Sequence, residues 1–381
     1  MRSMHFMGTL LDGVEVVWKT LGEVSNVLRG KRLTKNQLSE SEKFPVFHGG
    51  LDPLGYYGRG NRPANTVMII NVGASAGTLG YSAVDFWSSD GCFCIEHAEL
   101  LNNRYLYYVL IGHQQLLRSR VRVAGIPTLD AIVVEKLQIP IPCPENPEKS
   151  LEIQAEIVRI LDAFTELTTE LTTELTARKK QYNYYRDQLL NFEEGEVEWK
   201  TLGDLAENLD SMRKPITSGL RDPGYIPYYG ASGIVDYVKG YIFDGDFLLV
   251  SEDGANLLAR NTPIAFSISG KSWVNNHAHI LKFETYAERR YIEYYLNSID
   301  LTPYISGAAQ PKLNKKNLES ISIPNPSPEE KERIVTILDK FDALTNSISE
   351  GLPREIELRQ KQYEYYRNLL LSFPKPEEVG L

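Results

Sequence analysis

The strongest constraint on the fold is an internal duplication, because the chain of 381 residues carries one order of motifs twice. A repeat of this length predicts two similar structural halves within one polypeptide. The matching pairs are WKTLGEV at Trp18 and WKTLGDL at Trp199, FPVFHGG at Phe44 and IPYYGAS at Ile226, LQIPIP at Leu137 and ISIPNP at Ile321, IVRILDAF at Ile157 and IVTILDKF at Ile334, and KQYNYYRDQLLNF at Lys180 and KQYEYYRNLLLSF at Lys361.

The first part of each copy has the pattern of a mixed α/β domain. Apolar runs such as NTVMIINVGASAG and DGDFLLVSEDGA predict strands and turns, and helices are suggested at residues 105–117 and 291–296. Proline clusters at 140–147 and 324–328 mark the exit, because proline fixes φ and lacks an amide donor. The predicted boundaries are a globular domain at 1–146, a helical region at 147–192, a globular domain at 193–326, a helical region at 327–373 and a tail at 374–381.

Each helical region carries apolar residues three or four positions apart, the spacing of one face of an α-helix. A helix over residues 150–190 would be roughly 60 Å long at about 1.5 Å per residue. Because neither helix can bury its apolar stripe alone, we expect an antiparallel coiled coil and an α+β chain with a pseudo-two-fold internal repeat. The seam residues are Ile157, Leu161, Phe164, Leu171, Tyr182, Tyr185, Leu189, Ile334, Leu338, Phe341, Ile348, Tyr363, Tyr366 and Leu370.

The two helical regions differ by a four-residue insertion. Leu175 and Leu352 are 177 residues apart, whereas Tyr182 and Tyr363 are 181 residues apart. A coiled coil absorbs four extra residues by local unwinding and keeps its seam. We therefore expect the second helix to continue through the insertion.

The aromatic stretch that ends each helical region admits two interpretations. In the first, the tyrosines only seat each helix on its own globular domain. In the second, the residues that point away from the seam contact another protein, and these are Tyr184, Arg186, Tyr365 and Arg367.

Charge and cysteine content limit the possible functions. The formal net charge of -9 excludes a uniformly basic DNA-binding surface, so any DNA contact must come from local clusters or be helped by partner proteins. Cys92, Cys94 and Cys143 have no CxxC spacing and are expected to be reduced thiols rather than disulfide or zinc ligands. Without an apolar stretch long enough for a signal peptide or a membrane span, we expect a cytoplasmic protein with no membrane partner.

The duplicated order of motifs resembles the specificity subunit of a type I restriction-modification system. This resemblance implies a non-catalytic subunit without a cofactor, whose globular halves are target-recognition domains. The partners it implies are double-stranded DNA, two methyltransferase subunits and the restriction subunits. One departure is that the glutamine usual before the first helical repeat stands at Gln154 but is replaced by Lys331 in the second copy. The motifs that carry the resemblance are WKTLGEV, WKTLGDL, GKRLT at Gly30, VGASAGTLGY at Val72, AAQPKLNKKNLESISIP at Ala308 and EIQAEIVRILDAF at Glu152.

Two similar but non-identical reading domains related by a pseudo-two-fold axis suit an asymmetric target in two parts with an unspecified gap. A homodimer would instead read a palindrome. In this interpretation, the helices set the length of the gap.

Candidate DNA-contacting residues follow from chemistry. Phosphates attract Lys and Arg, and the edges of bases form hydrogen bonds with Arg, Asn and Lys. For any one of them, a solvated surface charge is the simpler explanation. The clusters around Arg120 and Lys315 carry more weight because both precede the same predicted strand. The candidates are Lys31, Arg32, Lys35, Tyr56, Tyr57, Arg59, Arg62, Arg118, Arg120 and Arg122 in the first domain, and Arg213, Lys214, Lys271, Asn275, Asn276, Lys312, Asn314, Lys315 and Lys316 in the second.

Catalytic and ligand-binding alternatives have weaker support. GASAG at residues 73–77 fits the G-x-S-x-G pattern of a serine hydrolase with Ser75 as nucleophile, but no helical pattern follows it. AFSISGKS at 265–272 fits a loosened phosphate loop and is also followed by a strand pattern. His277 and His279 share a strand face, yet no further Cys or His cluster lies nearby, which favours a structural pair over a metal site.

Methyltransferase activity within the chain is also disfavoured. No [DNS]-P-P-[YF] tetrapeptide is present to stack a flipped adenine. A non-catalytic scaffold with two protein-binding heads stays open and accounts well for the acidic balance.

Overall fold

The computed structural model describes residues 14–193, 195–307 and 310–373, in two compact units. Unit 1 comprises residues 1–170 and 356–381, and unit 2 comprises residues 171–355. Part of the first predicted domain, the tail at 374–381 and the first two residues of AAQPK lie outside the described residues. Within the described ranges, no helix is long and apolar enough to cross a membrane.

The globular part of unit 1 contains three small sheets and short helices. A buried four-stranded sheet has the order β2-β8-β5-β6, a three-stranded sheet has the order β4-β3-β7, and β1 pairs with β9. Helix α2 begins after Asn102, whose side chain accepts hydrogen bonds from two amides of its first turn. The elements are β1 Val16–Thr20, α1 Leu21–Val24, β2 Val27–Arg29, β3 Phe44–Phe47, β4 Tyr56–Tyr57, β5 Thr66–Ile70, β6 Leu79–Ser82, β7 Trp87–Ser88, β8 Cys92–Ile95, α2 Asn103–Gly112, α3 Gln114–Ser119, α4 Ala131–Glu135 and β9 Gln138–Pro142.

The helix α5, Pro147–Leu190, follows β9 and is continuous over 44 residues, which confirms the helix predicted at 150–190. Proline is tolerated at its first position because the amide there has no partner within the helix. At about 1.5 Å per residue, α5 is roughly 65 Å long.

The globular part of unit 2 repeats this plan with a larger sheet. A six-stranded sheet has the order β11-β16-β14-β15-β12-β13, and β10 pairs with β17. The elements are β10 Glu198–Thr201, α6 Leu202–Leu205, β11 Glu207–Asn208, β12 Pro223–Gly230, β13 Gly233–Val238, β14 Phe243–Ser251, α7 Asn256–Ala259, β15 Ala265–Val274, β16 Ala278–Lys282, α8 Tyr286–Ser298, α9 Lys315–Glu319, β17 Ser322–Asn325, α10 Pro328–Thr345 and α11 Gly351–Leu370.

The two sheets differ because one strand is interrupted in unit 1. In unit 2 the ten-residue β15 pairs antiparallel with β14 and parallel with β12, which joins all six strands. In unit 1 the same two pairings belong to separate strands, since β6 pairs with β5 and β7 pairs with β3. Residues 83–86 between β6 and β7 therefore split the sheet into two.

The duplication extends to individual buried hydrogen bonds, which confirms the predicted internal repeat. The Tyr105 hydroxyl donates to the Pro140 carbonyl at 2.9 Å, and the Tyr291 hydroxyl donates to the Pro324 carbonyl at 3.0 Å. Each proline sits opposite the tryptophan of a WKTLG motif in a two-stranded sheet. The repeated motifs thus meet their repeated partners in both units.

The second helical region differs from prediction because it is two helices. Helix α10 ends at Thr345 and α11 begins at Gly351, so the region is interrupted at residues 346–350, whereas α11 continues through the aligned position of the insertion between Leu352 and Tyr363. Gly351 has φ of +73°, and a Cβ there would clash with the Ala343 carbonyl oxygen. The predicted seam residue Ile348 lies in this break and is 85 % exposed, because no helix holds it on the seam.

Within each unit, segments of the two helical regions pack through stacked rings. In unit 1, Phe164 of α5 stacks on Tyr366 of α11 with ring centroids 5.2 Å apart. In unit 2, Tyr185 of α5 stacks on Phe341 of α10 at 5.7 Å. Early residues of the first region thus meet late residues of the second, and the reverse, which is the order of antiparallel helices. The remaining predicted seam residues are buried or half-buried, namely Ile157, Leu161, Leu171, Tyr182, Leu189, Ile334, Leu338, Tyr363 and Leu370.

The aromatic stretches lie on the globular domain of the opposite copy. Tyr182 of the first copy packs against the core of unit 2, and Tyr363 of the second copy packs against the core of unit 1. The interpretation that they seat each helix on its own domain is therefore wrong. Tyr184 and Tyr365 are 62 % and 56 % exposed, so these two rings stay accessible to another protein.

Replacing Tyr105 with Phe should destabilise helix α2 by about 1–3 kcal/mol, because the buried Pro140 carbonyl loses its partner. Amide hydrogen exchange in α2 measures the change locally, which suits a chain of two units. The matched control is Tyr184→Phe, which removes an exposed hydroxyl and should change stability by less than about 0.5 kcal/mol. Equal effects of the two substitutions would contradict the assigned role of the Tyr105 hydroxyl.

Candidate nucleic-acid interface

The arginines at 118, 120 and 122 are exposed side chains of unit 1. Arg118 lies in the last turn of α3, Arg120 caps its C-terminus, and Arg122 enters a hairpin closed by Arg122 and Thr128, whose backbones exchange hydrogen bonds of 2.8 and 3.0 Å. The loop after β5 supports this hairpin, since the Gly73 amide donates to the Pro127 carbonyl at 2.9 Å. Gly77 has φ of +83°, and a Cβ there would come within 2.9 Å of the Arg118 nitrogen, so glycine is required for this close approach.

The same loop pair recurs in unit 2 with different side chains. Ser306 and Lys312 form the corresponding backbone bridge, and the Gly254 amide donates to the Pro311 carbonyl at 3.2 Å. By these bridges Lys312 corresponds to Thr128, and Arg122 corresponds to Ser306. The arginine and lysine clusters therefore precede the same strand but occupy different ends of the hairpin.

The first predicted cluster of unit 1 is exposed, whereas Arg62 of the second is engaged. Lys31, Arg32 and Lys35 are exposed, and the Lys31 carbonyl accepts a 2.7 Å hydrogen bond from the Trp87 indole. Arg59 is exposed as well, while the Arg62 guanidinium donates to the carbonyls of Asn61 and Arg29 at 2.8 and 3.1 Å. Tyr56 and Tyr57 are half-buried in β4.

Arg213 is committed to a buried ion cluster in unit 2. Its guanidinium lies 2.6 Å from a Glu252 oxygen and 3.3 Å from an Asp210 oxygen, and its side chain is 12 % exposed. His279 contacts Asp210 at 2.6 Å through Nδ1 and the Leu313 carbonyl at 2.7 Å through Nε2. The Arg213 guanidinium is therefore engaged by carboxylates of its own domain, whereas the neighbouring Lys214 is exposed.

Asp210, Glu252 and His279 could by spacing hold a metal ion. Their carboxylates are already opposed by the cations of Arg213 and Lys312, with Lys312 3.1 Å from Glu252. Burial raises the pKa of both carboxyls, but hydrogen bonds and charges from His279, Arg213 and Lys312 outweigh it, so both pKa values are lowered. The cluster therefore has the features of a structural ion-pair network, in which Arg213 and Lys312 supply the positive charge.

The other candidate residues of unit 2 also divide into engaged and exposed side chains. Asn275 is 6 % exposed and accepts from the His277 amide, and Asn314 caps α9 by accepting from the Asn317 amide. Lys271 lies over the Tyr241 ring at 4.7 Å, and Lys315 lies 3.6 Å from Glu319. Lys271, Asn276, Lys312, Lys315 and Lys316 are exposed.

A repeated cluster that sequence analysis missed holds each globular domain on its helix. In unit 1, Arg104 Nε donates to Asp162 at 2.8 Å and the Tyr108 hydroxyl donates to the same oxygen. In unit 2, Arg290 Nε donates to Asp339 at 3.0 Å and the Tyr294 hydroxyl donates at 2.6 Å. The signal was present, since each copy has Arg and Tyr four positions apart and an LD-x-F motif.

The Gln154 and Lys331 positions carry different chemistry in one buried location. Gln154 donates to the Leu100 carbonyl and accepts from the Asn102 amide, at 3.0 and 2.8 Å. The buried Lys331 ammonium instead donates to Asn325 at 2.6 Å. The substitution is thus accommodated by a new partner.

The catalytic alternatives lack their structural context. GASAG lies in the turn of the antiparallel β5–β6 hairpin, so Ser75 is not on a strand-to-helix elbow. AFSISGKS lies within β15, where no helix N-terminus is available for a phosphate. His277 contacts Asp253 at 2.9 Å, apart from the buried His279.

Comparisons with known proteins agree on one family. The family model described as "Type I restriction modification DNA specificity domain" matches residues 13–179 and again residues 194–358. The EcoR124I/EcoR124II specificity subunit of Escherichia coli is 38 % identical with full coverage of both chains. The EcoprrI specificity subunit of Escherichia coli is 34 % identical over 92 % of this chain and 93 % of its own.

A solved structure has the same fold. The crystal structure of the type I restriction-modification S subunit from M. genitalium covers 96 % of this chain and 98 % of its own, with a TM-score of 0.66 at 17 % identity.

Acid should destabilise unit 2 through the buried cluster. Because the pKa values of Asp210 and Glu252 are lowered on folding, their stabilisation is present above the ordinary values of 3.8 and 4.5 and is lost as the pH falls through the folded values. Asp210→Asn should cost about 1–3 kcal/mol at pH 7 and flatten the stability profile between about pH 5 and 3. Denaturant unfolding at several pH values measures both effects.

The control for this experiment is Glu198→Gln, since Glu198 is 67 % exposed in a surface pair with Lys200. Its profile should overlay that of the wild type. A steep acid profile retained by Asp210→Asn would contradict the role of the cluster.

Proposed function

Because the chain belongs to the type I restriction modification DNA specificity family, we propose that each of its globular domains reads one half of an asymmetric, bipartite DNA target. The chain is a non-catalytic DNA recognition subunit that assembles with methyltransferase and restriction subunits. The observation that carries the proposal is the repeated loop pair, which has one backbone geometry in both units and different side chains at its edge. Two loop pairs of the same backbone geometry that carry different side chains suit two different half-sites.

The division into exposed and engaged side chains supports specific DNA contacts. We propose that the exposed residues grip phosphates and base edges, while Arg62, Arg213, Asn275 and Asn314 shape the surfaces that present them. The proposed contacts are Lys31, Arg32, Lys35, Arg59, Arg118, Arg120 and Arg122 on the first domain, and Lys214, Lys271, Asn276, Lys312, Lys315 and Lys316 on the second.

The helices have a separate proposed role. Helix α5 begins in unit 1 and ends in unit 2 without interruption, which suits an element that sets the gap between half-sites. The exposed rings of Tyr184 and Tyr365 suit docking of the methyltransferase subunits. The domain boundaries proposed for this function are 1–146, 147–192, 193–326 and 327–373, followed by the tail. A cytoplasmic location is part of the proposal.

Exchanging residues 18–139 for those of a relative should change only one half of the methylated target. The structure supports these junctions, because Lys19 pairs with Ile139 while Val17 pairs with Ile141, so both ends of the segment lie side by side in one sheet. The reciprocal exchange of residues 199–323 uses the equivalent Lys200–Ile323 pair and should change the other half. Methylation mapping reads out both; changes in both halves, or in neither, would refute the two-reader model.

Replacing Arg118 or Arg120 with Ala should weaken DNA binding and reduce the slope of log affinity against log salt by about 0.9 for each lost phosphate contact. Mobility shifts of the assembled complex at several salt concentrations measure this slope. Arg159→Ala is the control, since Arg159 lies on α5, is 67 % exposed and pairs with Glu156. No sequence preference at any salt concentration would favour a scaffold with two protein-binding heads instead.

A further inference from the structure

The hairpin between Arg122 and Thr128 presents two aliphatic side chains at its tip. Val123 and Ile126 are 79 % and 71 % exposed, among the most exposed large apolar side chains in the described residues. Between them Gly125 has φ of +83°, which turns the chain sharply. We refer to residues 123–126 as the tip.

Backbone hydrogen bonds anchor the residues that flank the tip to the rest of the domain. Both backbone groups of Arg122 are bonded to Thr128, and the Pro127 carbonyl is held by the Gly73 amide. The next residue, Leu129, is 1 % exposed and its amide donates to the Asn71 carbonyl at 2.8 Å. The two aliphatic groups are therefore held in solvent on a supported turn, where burying them against a partner would stabilise the complex.

The surroundings of the tip are cationic. Arg118, Arg120 and Arg122 are all exposed within eight positions before it, while Asp130 is the acidic group paired with Arg122 at 2.9 Å. A polyanion with an apolar interior complements this combination, because its charged exterior meets the arginines and its interior meets the tip. Duplex DNA has this construction, with phosphates outside and stacked bases inside.

We propose that the tip of the first domain is an apolar wedge, in which Val123 and Ile126 enter the minor groove and partly unstack one base step of the first half-site. Inserted aliphatic side chains unstack and kink DNA in this way, and the arginines hold the flanking phosphates. The inference rests on the proposed function, since it assumes that the first domain binds DNA.

At the two equivalent positions that the structure describes, the second domain has no aliphatic side chain. The bridge between Ser306 and Lys312 has the same six-residue span as that between Arg122 and Thr128, so Val123 corresponds to Gly307 and Ile126 to Gln310. Gly307 has no side chain to insert, and the exposed Gln310 offers a base-edge contact instead. The two half-sites are therefore distorted unequally.

The test uses the chain assembled with its methyltransferase subunits and duplexes that carry 2-aminopurine at one position at a time. Wild-type complex should raise the fluorescence at one step of the first half-site, in addition to any signal at the adenine that a methyltransferase flips out. Val123→Ser with Ile126→Ser should lose the first signal, keep the second and bind about tenfold more weakly. Val84→Ser is the control, because Val84 is a 56 % exposed aliphatic side chain of the same domain.

Each other outcome has a defined meaning. Sequence-preferential binding with no wild-type signal apart from the flipped adenine overturns the wedge and leaves the proposed function standing. A double variant that folds, as shown by circular dichroism, but no longer assembles with the methyltransferase subunits overturns the wedge in favour of a protein contact. A wild-type complex without sequence preference overturns the proposed function and the wedge with it.

Discussion

The structure depends on the burial of amphipathic helix stripes that no single helix can bury alone. Each globular domain solves this with two helical segments, because Ile157 and Leu161 of α5 share the core of unit 1 with Leu370 of α11. Ile334 and Leu338 of α10 share the core of unit 2 with Leu190 of α5. Since each helical region contributes to both cores, the duplicated halves are linked by apolar burial as well as by the chain.

Polar clusters set the orientation of the helices that apolar burial brings into contact. Burial alone is non-directional, whereas Arg104 with Asp162, and Arg290 with Asp339, fix one helix face against one domain helix. The Arg290 guanidinium also lies over the Tyr294 ring at 4.5 Å, so the repeated cluster is partly desolvated. Each of these helix pairs is thus held in one orientation within its own unit.

The negative net charge is compatible with DNA recognition because some acidic side chains are paired inside the protein while basic side chains remain exposed. Acidic groups such as Asp210 and Glu252 are paired with cations inside unit 2, while basic groups such as Arg120 and Lys316 remain exposed. A count over the whole chain therefore underestimates the local potential that a phosphate meets. The scaffold alternative, which drew its support from this count, loses that advantage.

The sequence by itself determined the duplication, the position of α5 and the motifs that occupy equivalent positions in both copies. It could do so because helical periodicity and repeat order are local patterns. It did not determine that the second helical region is interrupted at residues 346–350, or that Tyr182 packs on the second domain. Nor did it separate Arg213, which is half-buried and paired with Glu252, from the adjacent exposed Lys214. Only the tertiary structure decided these points, since each depends on contacts between residues distant in the chain, such as Arg213 with Glu252, that no local pattern encodes.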